Sequence, residues 1–422
     1  MTRFIFILSA FFTLMLIHGC GGGGGGGGNQ SDSWTVLVYM AGDNDLSDAA
    51  TVDLDEMQTV GSKNGINIVV QIDRLGDTAK RMFVRNGSSK LIKDLGEQNM
   101  ADPATLEDFI RWGTGKYPAD RTALILWSHG DGYRKPIVEP SSEPLPYSIL
   151  EDDTDGVPCC LSNVAVNQAI EGAGFHFDLI GFDASRMGQT ETAYEFRNTG
   201  DILVFSEENG NENGWEYHGI LDALTTNPEM DSETLSDVIV QTYADFYENV
   251  YYPAHPTVSK VLTISAVRLD GAMDDFANGL DTLSVDLKSA LDTPATQDAT
   301  VSAVRDSRDS AQWLLSQVTC PIYVDLYDFL GYLVNEPGLG AGILEDISDL
   351  EDLKNQMILS EYHGADRSGA TGLSIVFYKV PNPSCNNYDA SYLDGTSDVS
   401  FVRDTHWNEF LTTYYDDNTA LP

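Results

Sequence analysis

Apolar positions along this chain switch repeatedly between two periods. Predominantly apolar runs bounded by glycine or polar residues read as buried strands at Trp34–Met40, Ile66–Ile72, Ala123–Trp127, Leu179–Phe182 and Ile202–Phe205. A weaker run lies at Arg81–Arg85, and later ones at Val261–Val267 and Leu373–Tyr378. Between them, apolar residues three or four apart predict helices. One spans Asp45–Val60 through Leu46, Ala49, Val52 and Met57; another opens at Pro103 with Leu106, Phe109 and Ile110 on one face. Asp231–Asn249 and Asp270–Leu291 have the same character. Strands alternating with helices imply βαβ units and a largely parallel sheet covered on both faces. The expectation is one elaborated α/β domain: a core over residues 33–225, and a helical or mixed part of the same fold over 226–422. No internal repeat is visible.

Composition narrows the function classes. The chain has 422 residues, 42% of them hydrophobic, enough for a sizeable core. Against 24 Lys and Arg stand 65 Asp and Glu, for a formal charge of −41. A field of that sign repels phosphate, which argues against nucleic-acid binding and favours cationic partners. At the N-terminus, Arg3 precedes the apolar run Phe4–Ile17, too short to span a bilayer comfortably but suited to a signal peptide. It ends in Ile17-His18-Gly19-Cys20, a pattern that resembles a bacterial lipobox. Residues 1–19 then read as a cleaved signal and Cys20 as the lipidated first residue. Residues 20–32, with eight consecutive glycines, read as a flexible tether. The expectation is an exported lipoprotein, facing the periplasm or the cell surface, whose only membrane contact is that lipid.

Cys159, Cys160, Cys320 and Cys385 remain. Export leaves disulfides open to them, two bridges from the 159/160 pair to Cys320 and Cys385 being one arrangement. The absence of C-x-x-C spacing argues against a zinc site. Gly130–Pro158 is a long proline-broken stretch carrying Arg134-Lys135 and then six acids. Within it, Glu151, Asp153 and Asp155 fall at the spacing that opens a calcium loop, but Ser162 stands where the closing glutamate belongs. Asp43-Asn44-Asp45 is a second acidic cluster. No cofactor is required by these patterns; calcium is the one candidate.

In open parallel sheets, ligands sit beyond the carboxyl ends of the strands. Two such ends carry reactive groups: Ala123–Trp127 runs into Ser128-His129-Gly130-Asp131-Gly132, and Leu179–Phe182 into Asp183-Ala184-Ser185-Arg186-Met187. A histidine and a hydroxyl at neighbouring strand ends form the geometry of base plus nucleophile, with Gly130 leaving room for a substrate backbone. The alternative is structural, His129 being a loop histidine and Ser185 a helix N-cap.

These stretches, with WTVLVYMAGDNDL, INIVVQIDR, SEENGNENGWEY and GLSIVFY, resemble the clostripain family of cysteine endopeptidases, relatives of the caspases. The likeness covers most of residues 33–380. Trp127–Gly132 matches the family's W-x-H-G-x-G, and His129 precedes position 185 by 56 residues, near the caspase-like separation of about 50. The resemblance implies a caspase-like α/β/α sandwich, His129 as base, and a peptide or protein substrate with basic residues. It assigns Asp183 to the pocket for an arginine or lysine side chain, a role suited to a buried carboxylate. It looks for a second acid near Asn213, places Gly130 at the substrate backbone, and puts Arg134 and Lys135 where relatives are often self-cleaved. Arg186 has the reach to enter the pocket and neutralise Asp183.

The departure is Ser185, where the family pattern has the nucleophilic cysteine. A serine hydroxyl is far less acidic than a thiol and needs a tightly coupled base. Three readings follow: a surface pseudo-peptidase that keeps a cleft for Arg- or Lys-containing peptides, an active endopeptidase using Ser185 and His129, or an adhesion or scaffold domain with a vestigial cleft.

Overall fold

The computed structural model describes residues 33–133, 149–153, 160–314, 321–383 and 388–417. Residues 1–32, on which the expected signal peptide, lipidated Cys20 and glycine tether fall, lie outside the described residues, as do Arg134, Lys135, Asp155, Cys159, Cys320 and Cys385.

Among the described residues, twelve strands form two sheets. The large sheet contains β1 (Trp34–Gly42), β2 (Ile66–Arg74), β3 (Ala79–Arg85), β4 (Ser88–Gly96), β5 (Arg121–Trp127), β6 (Leu179–Asp183), β7 (Ile202–Phe205), β8 (Thr263–Arg268) and β11 (Ile358–His363). The small one joins β9 (Trp313–Leu314), β10 (Tyr323–Asp325) and β12 (Ser374–Val376). The order of the large sheet is β11-β8-β7-β6-β5-β1-β2-β3-β4. Its centre, β7-β6-β5-β1-β2, is parallel, and each edge adds two antiparallel strands.

The central strands bury both faces, which is why they read as predominantly apolar runs. Leu37, Tyr39, Leu124, Leu126, Ile180 and Phe182 point to one core, shared with helices α2 (Pro103–Lys116), α3 (Asn163–Ala173) and α4 (Thr190–Phe196). Their neighbours Val36, Val38, Ala123, Ile125 and Leu179 point to the other, shared with α1 (Ser47–Val60), α5 (Tyr217–Thr226) and α6 (Ser232–Phe246). The expected α/β/α sandwich around a parallel sheet centre is the architecture observed. The first core continues without a break into the C-terminal part, through Phe329, Ile347, Phe377, Trp407 and Phe410.

Two expectations need correction. The Leu373–Tyr378 run contributes only Ser374–Val376 as strand, and to the small antiparallel sheet. The buried stripe of α1 is Ala50, Asp53, Leu54, Met57 and Val60, whereas Val52 is exposed. The helix read over Asp231–Asn249 is α6, which takes Asp231 as its N-cap and passes into a π-helical turn at Tyr247–Tyr251. Among the described residues, no helix is long and apolar enough to cross a membrane.

Candidate active site

The carboxyl ends of β1, β5, β6 and β7 converge on a cleft of about 780 Å³. Adjacent parallel strands bring Trp127 level with Asp183, so the loops that follow them start side by side. Buried polar bonds tie the floor together. Ser128 Oγ donates to the Ala41 carbonyl (2.9 Å), and Asn44 Nδ2 donates to the carbonyls of Ala41 (3.1 Å) and Glu151 (2.9 Å).

His129 and Ser185 both line this cleft, as do Gly130, Glu151, Asp153 and Asp183. The His129 and Ser185 loops touch through their backbones: a Cβ on Gly130 would lie 2.4 Å from the Ser185 carbonyl oxygen, so only glycine allows that approach. Ser185 is not a helix cap; Gln189 occupies the N-cap position of α4. Its Oγ accepts from the Gly210 N–H at 2.9 Å. His129 Nε2 bonds Asp45 Oδ1 at 2.6 Å, with Glu151 Oε2 at 3.9 Å. His129 and Ser185 share no hydrogen bond. Asp45 is the partner that the sequence reading did not assign to His129.

Arg186 does not enter the Asp183 pocket. Its guanidinium bonds Asp131 Oδ1 (2.6 Å) and Asn209 Oδ1 (2.5 Å), and its N–H donates to the Glu208 carbonyl. These bonds hold the residue at φ +63°, a conformation costly for a side chain with a Cβ and persistent only where several contacts over-determine it. Asn213 is exposed, donates to Asn211 Oδ1 through its backbone and side chain, and stays out of the cleft lining.

An acid that does lie beside Asp183 comes from α1, Asp53. Asp183 is buried and accepts from the Trp215 N–H (3.2 Å) and the Tyr217 hydroxyl (3.0 Å). Burial pushes its carboxyl up to about 7; those two donors oppose the rise and Glu56 adds to it. Asp53 Oδ2 accepts from Trp127 Nε1 at 2.7 Å. Burial, then the neighbouring Asp183, raise Asp53 to about 9. Glu151 is raised to about 7 by burial, with His129 opposing.

Of the calcium-loop residues, Glu151 and Asp153 flank His129 at the cleft and Asp155 lies outside the described residues. Among the described residues, no group of three His, Cys, Asp or Glu side chains converges as a bound metal requires. Cys160 is buried and disulfide-bonded.

Comparison with known proteins places this architecture. The clostripain of Hathewaya histolytica is 24% identical, over 92% of this chain and 81% of that protein. A secreted C11 cysteine protease from Bacteroides thetaiotaomicron, solved with an irreversible peptide inhibitor, matches with a TM-score of 0.65 at 21% identity, over 89% of this chain and 99% of that one. An inactive zymogen C11 protease from Parabacteroides distasonis gives 0.61 at 20% identity, over 89% and 99%. At such identities the structural likeness speaks for the fold. The model describing the clostripain family matches residues 38–414, and on that match this chain belongs to the clostripain family of peptidases.

Proposed function

We propose that this protein is a clostripain-family pseudo-peptidase, exported and lipid-anchored through Cys20, whose cleft binds peptides carrying arginine or lysine. What supports the reading is that Ser185, which the family resemblance assigns to the nucleophile position, makes no hydrogen bond to His129 and instead accepts from the Gly210 N–H. An uncoupled hydroxyl is a poor nucleophile at neutral pH, and misplacing reacting atoms by about 1 Å costs roughly 100-fold. The cleft supports the ligand-binding part of the reading: it is open, and Asp183 sits in its wall with no ion pair to any cation among the described residues. Peptide or protein ligands fit the Bacteroides thetaiotaomicron relative, which was solved with a peptide inhibitor.

One observation favours an active serine enzyme. Asp45 holds Nε2 of His129, which leaves Nδ1 as the nitrogen available to accept a proton, as the third member of a triad would. The test is to compare the soluble protein from Ser31 onward with its Ser185→Cys variant on arginyl and lysyl fluorogenic peptides. The expected result is a silent parent and a Cys variant that cleaves at least about 100-fold faster. Cleavage by the parent that Ser185→Ala and His129→Ala both abolish would overturn the pseudo-peptidase reading. Silence from both proteins, together with no peptide binding, would move the assignment to a scaffold with a vestigial cleft.

A further inference from the structure

We propose that Asp53 on α1 is the proton-holding partner of Asp183: a positioning residue that makes uptake of a basic side chain by this cleft strengthen as pH rises. The proposal deepens the basic-peptide reading and rests on it.

The geometry carries it. Asp53 is 1% exposed and Asp183 8%, so both carboxyls are removed from bulk water. A Cβ placed on Gly214 would lie 2.9 Å from Asp183 Oδ2 and 3.3 Å from Asp53 Oδ2, so the two groups flank the same glycine in the cleft wall. Gly214 itself is at φ +54°. Asp53 Oδ1 is buried with no hydrogen-bond partner, the position a carboxyl proton or an incoming donor would occupy. Asp53 sits in the middle of the apolar stripe of α1, a place that propensity and burial both disfavour for an acid.

The surroundings supply no counter-charge. Glu56 on α1 adds a third carboxyl; it accepts from the Tyr217 N–H and is itself faced by Glu216 and His218. Tyr217 on α5, and Tyr243 and Tyr247 at the end of α6, face the pair with hydroxyls held neutral by burial. Trp127 and Trp215 contribute only N–H donors. Among the described residues, no lysine, arginine or histidine forms an ion pair with Asp53 or Asp183. Two like charges this close and this buried cannot both ionise cheaply. The pair therefore keeps a proton in the empty cleft and releases it when a guanidinium or ammonium arrives.

The experiment is isothermal titration of the Ser31-onward protein and its Asp53→Asn variant with benzoyl-arginine amide, whose guanidinium stays charged throughout, from pH 6 to 9. Buffers of different ionisation heat count the protons released. Both proteins are expected to tighten as Asp183 ionises between pH 6 and 8. Only the parent should tighten further toward pH 9, ending about tenfold better than the variant, while the two agree within about twofold at pH 6. Equal affinities at pH 9, or a uniform loss at every pH, would overturn the proposal, the second because it marks a merely structural role. If neither protein binds at any pH, the basic-peptide reading falls, and the carboxyl pair is judged alone. Carbon NMR of aspartate carboxyls in the free protein must then show a signal titrating above pH 6 that Asp53→Asn removes; its absence sinks the pair as well.

Discussion

Two buried acids sit in loops at the carboxyl end of the same sheet, and they are treated in opposite ways. Glu208, after β7, is 2% exposed, and Arg367 reaches it with Nε at 2.5 Å from its Oε1. Asp183, at the end of β6, is 8% exposed and meets only neutral donors and other acids. An internal cation makes the first a closed structural unit. Leaving the second without one costs stability and keeps a place for a cation from outside. Burial alone therefore does not mark a functional acid; burial without a fixed counter-charge, beside open space, does.

The comparison can be broken from either side. The largest effect is expected from Arg367→Ala, which strands a buried Glu208: stability should fall by about 3–5 kcal/mol, read by denaturant unfolding. A loss under about 1 kcal/mol would put the pair among ordinary surface bridges. Next, Asp183→Asn should abolish at least nine-tenths of benzoyl-arginine amide binding, while leaving stability above pH 7 unchanged or raised, because it removes one of two like carboxyls. Destabilisation on the scale of Arg367→Ala would show that Asp183 is structural after all.

A smaller effect concerns pH. Asp183 at about 7 and Asp53 at about 9 bind protons in the folded state that the unfolded chain has already released near 4. More protons bound when folded means that stability falls as pH rises, here through the window from about 4 to about 9. Asp73, raised to about 8 by burial, and Glu191, raised to about 7 by burial, act in the same direction. Thermal midpoints should decline across that window, and less steeply in Asp53→Asn. A flat profile would show that the acids are not desolvated as the fold implies. The smallest effect is expected at Asp45. It is exposed, so Asp45→Asn should leave the unfolding midpoint unmoved, yet slow any cleavage by Ser185→Cys through a misoriented His129.

The parallel strands were legible because burial on both faces writes a predominantly apolar run of four to seven residues, and β7 falls at Ile202–Phe205 as read. β4 was not legible: Ser88–Gly96 is an edge strand, one-third charged and largely exposed, whose three apolar residues show no sustained alternation. The small sheet was missed because two- and three-residue strands carry no period. At the site, His129, Ser185 and Asp183 could be placed because each follows a readable strand. Asp45 and Asp53 could not, since their partners lie 84 and 74 residues away in sequence and only the fold joins them. A local signal for Asp53 did exist. It interrupts the run Ala50, Leu54, Met57, Val60 as the one acid on a buried helical stripe.

The polarity of the sheet has a consequence for how the molecule presents itself. The chain enters the fold at Ser33, at the foot of β1, and the cleft opens at the head of the same strand. Nine extended residues set the two about 30 Å apart. Ser33 therefore lies at the end of the sheet opposite the mouth. A load applied there runs along β1 and is shared by shear across the ladders to β2 and β5, without prying at the loops around His129 and Ser185.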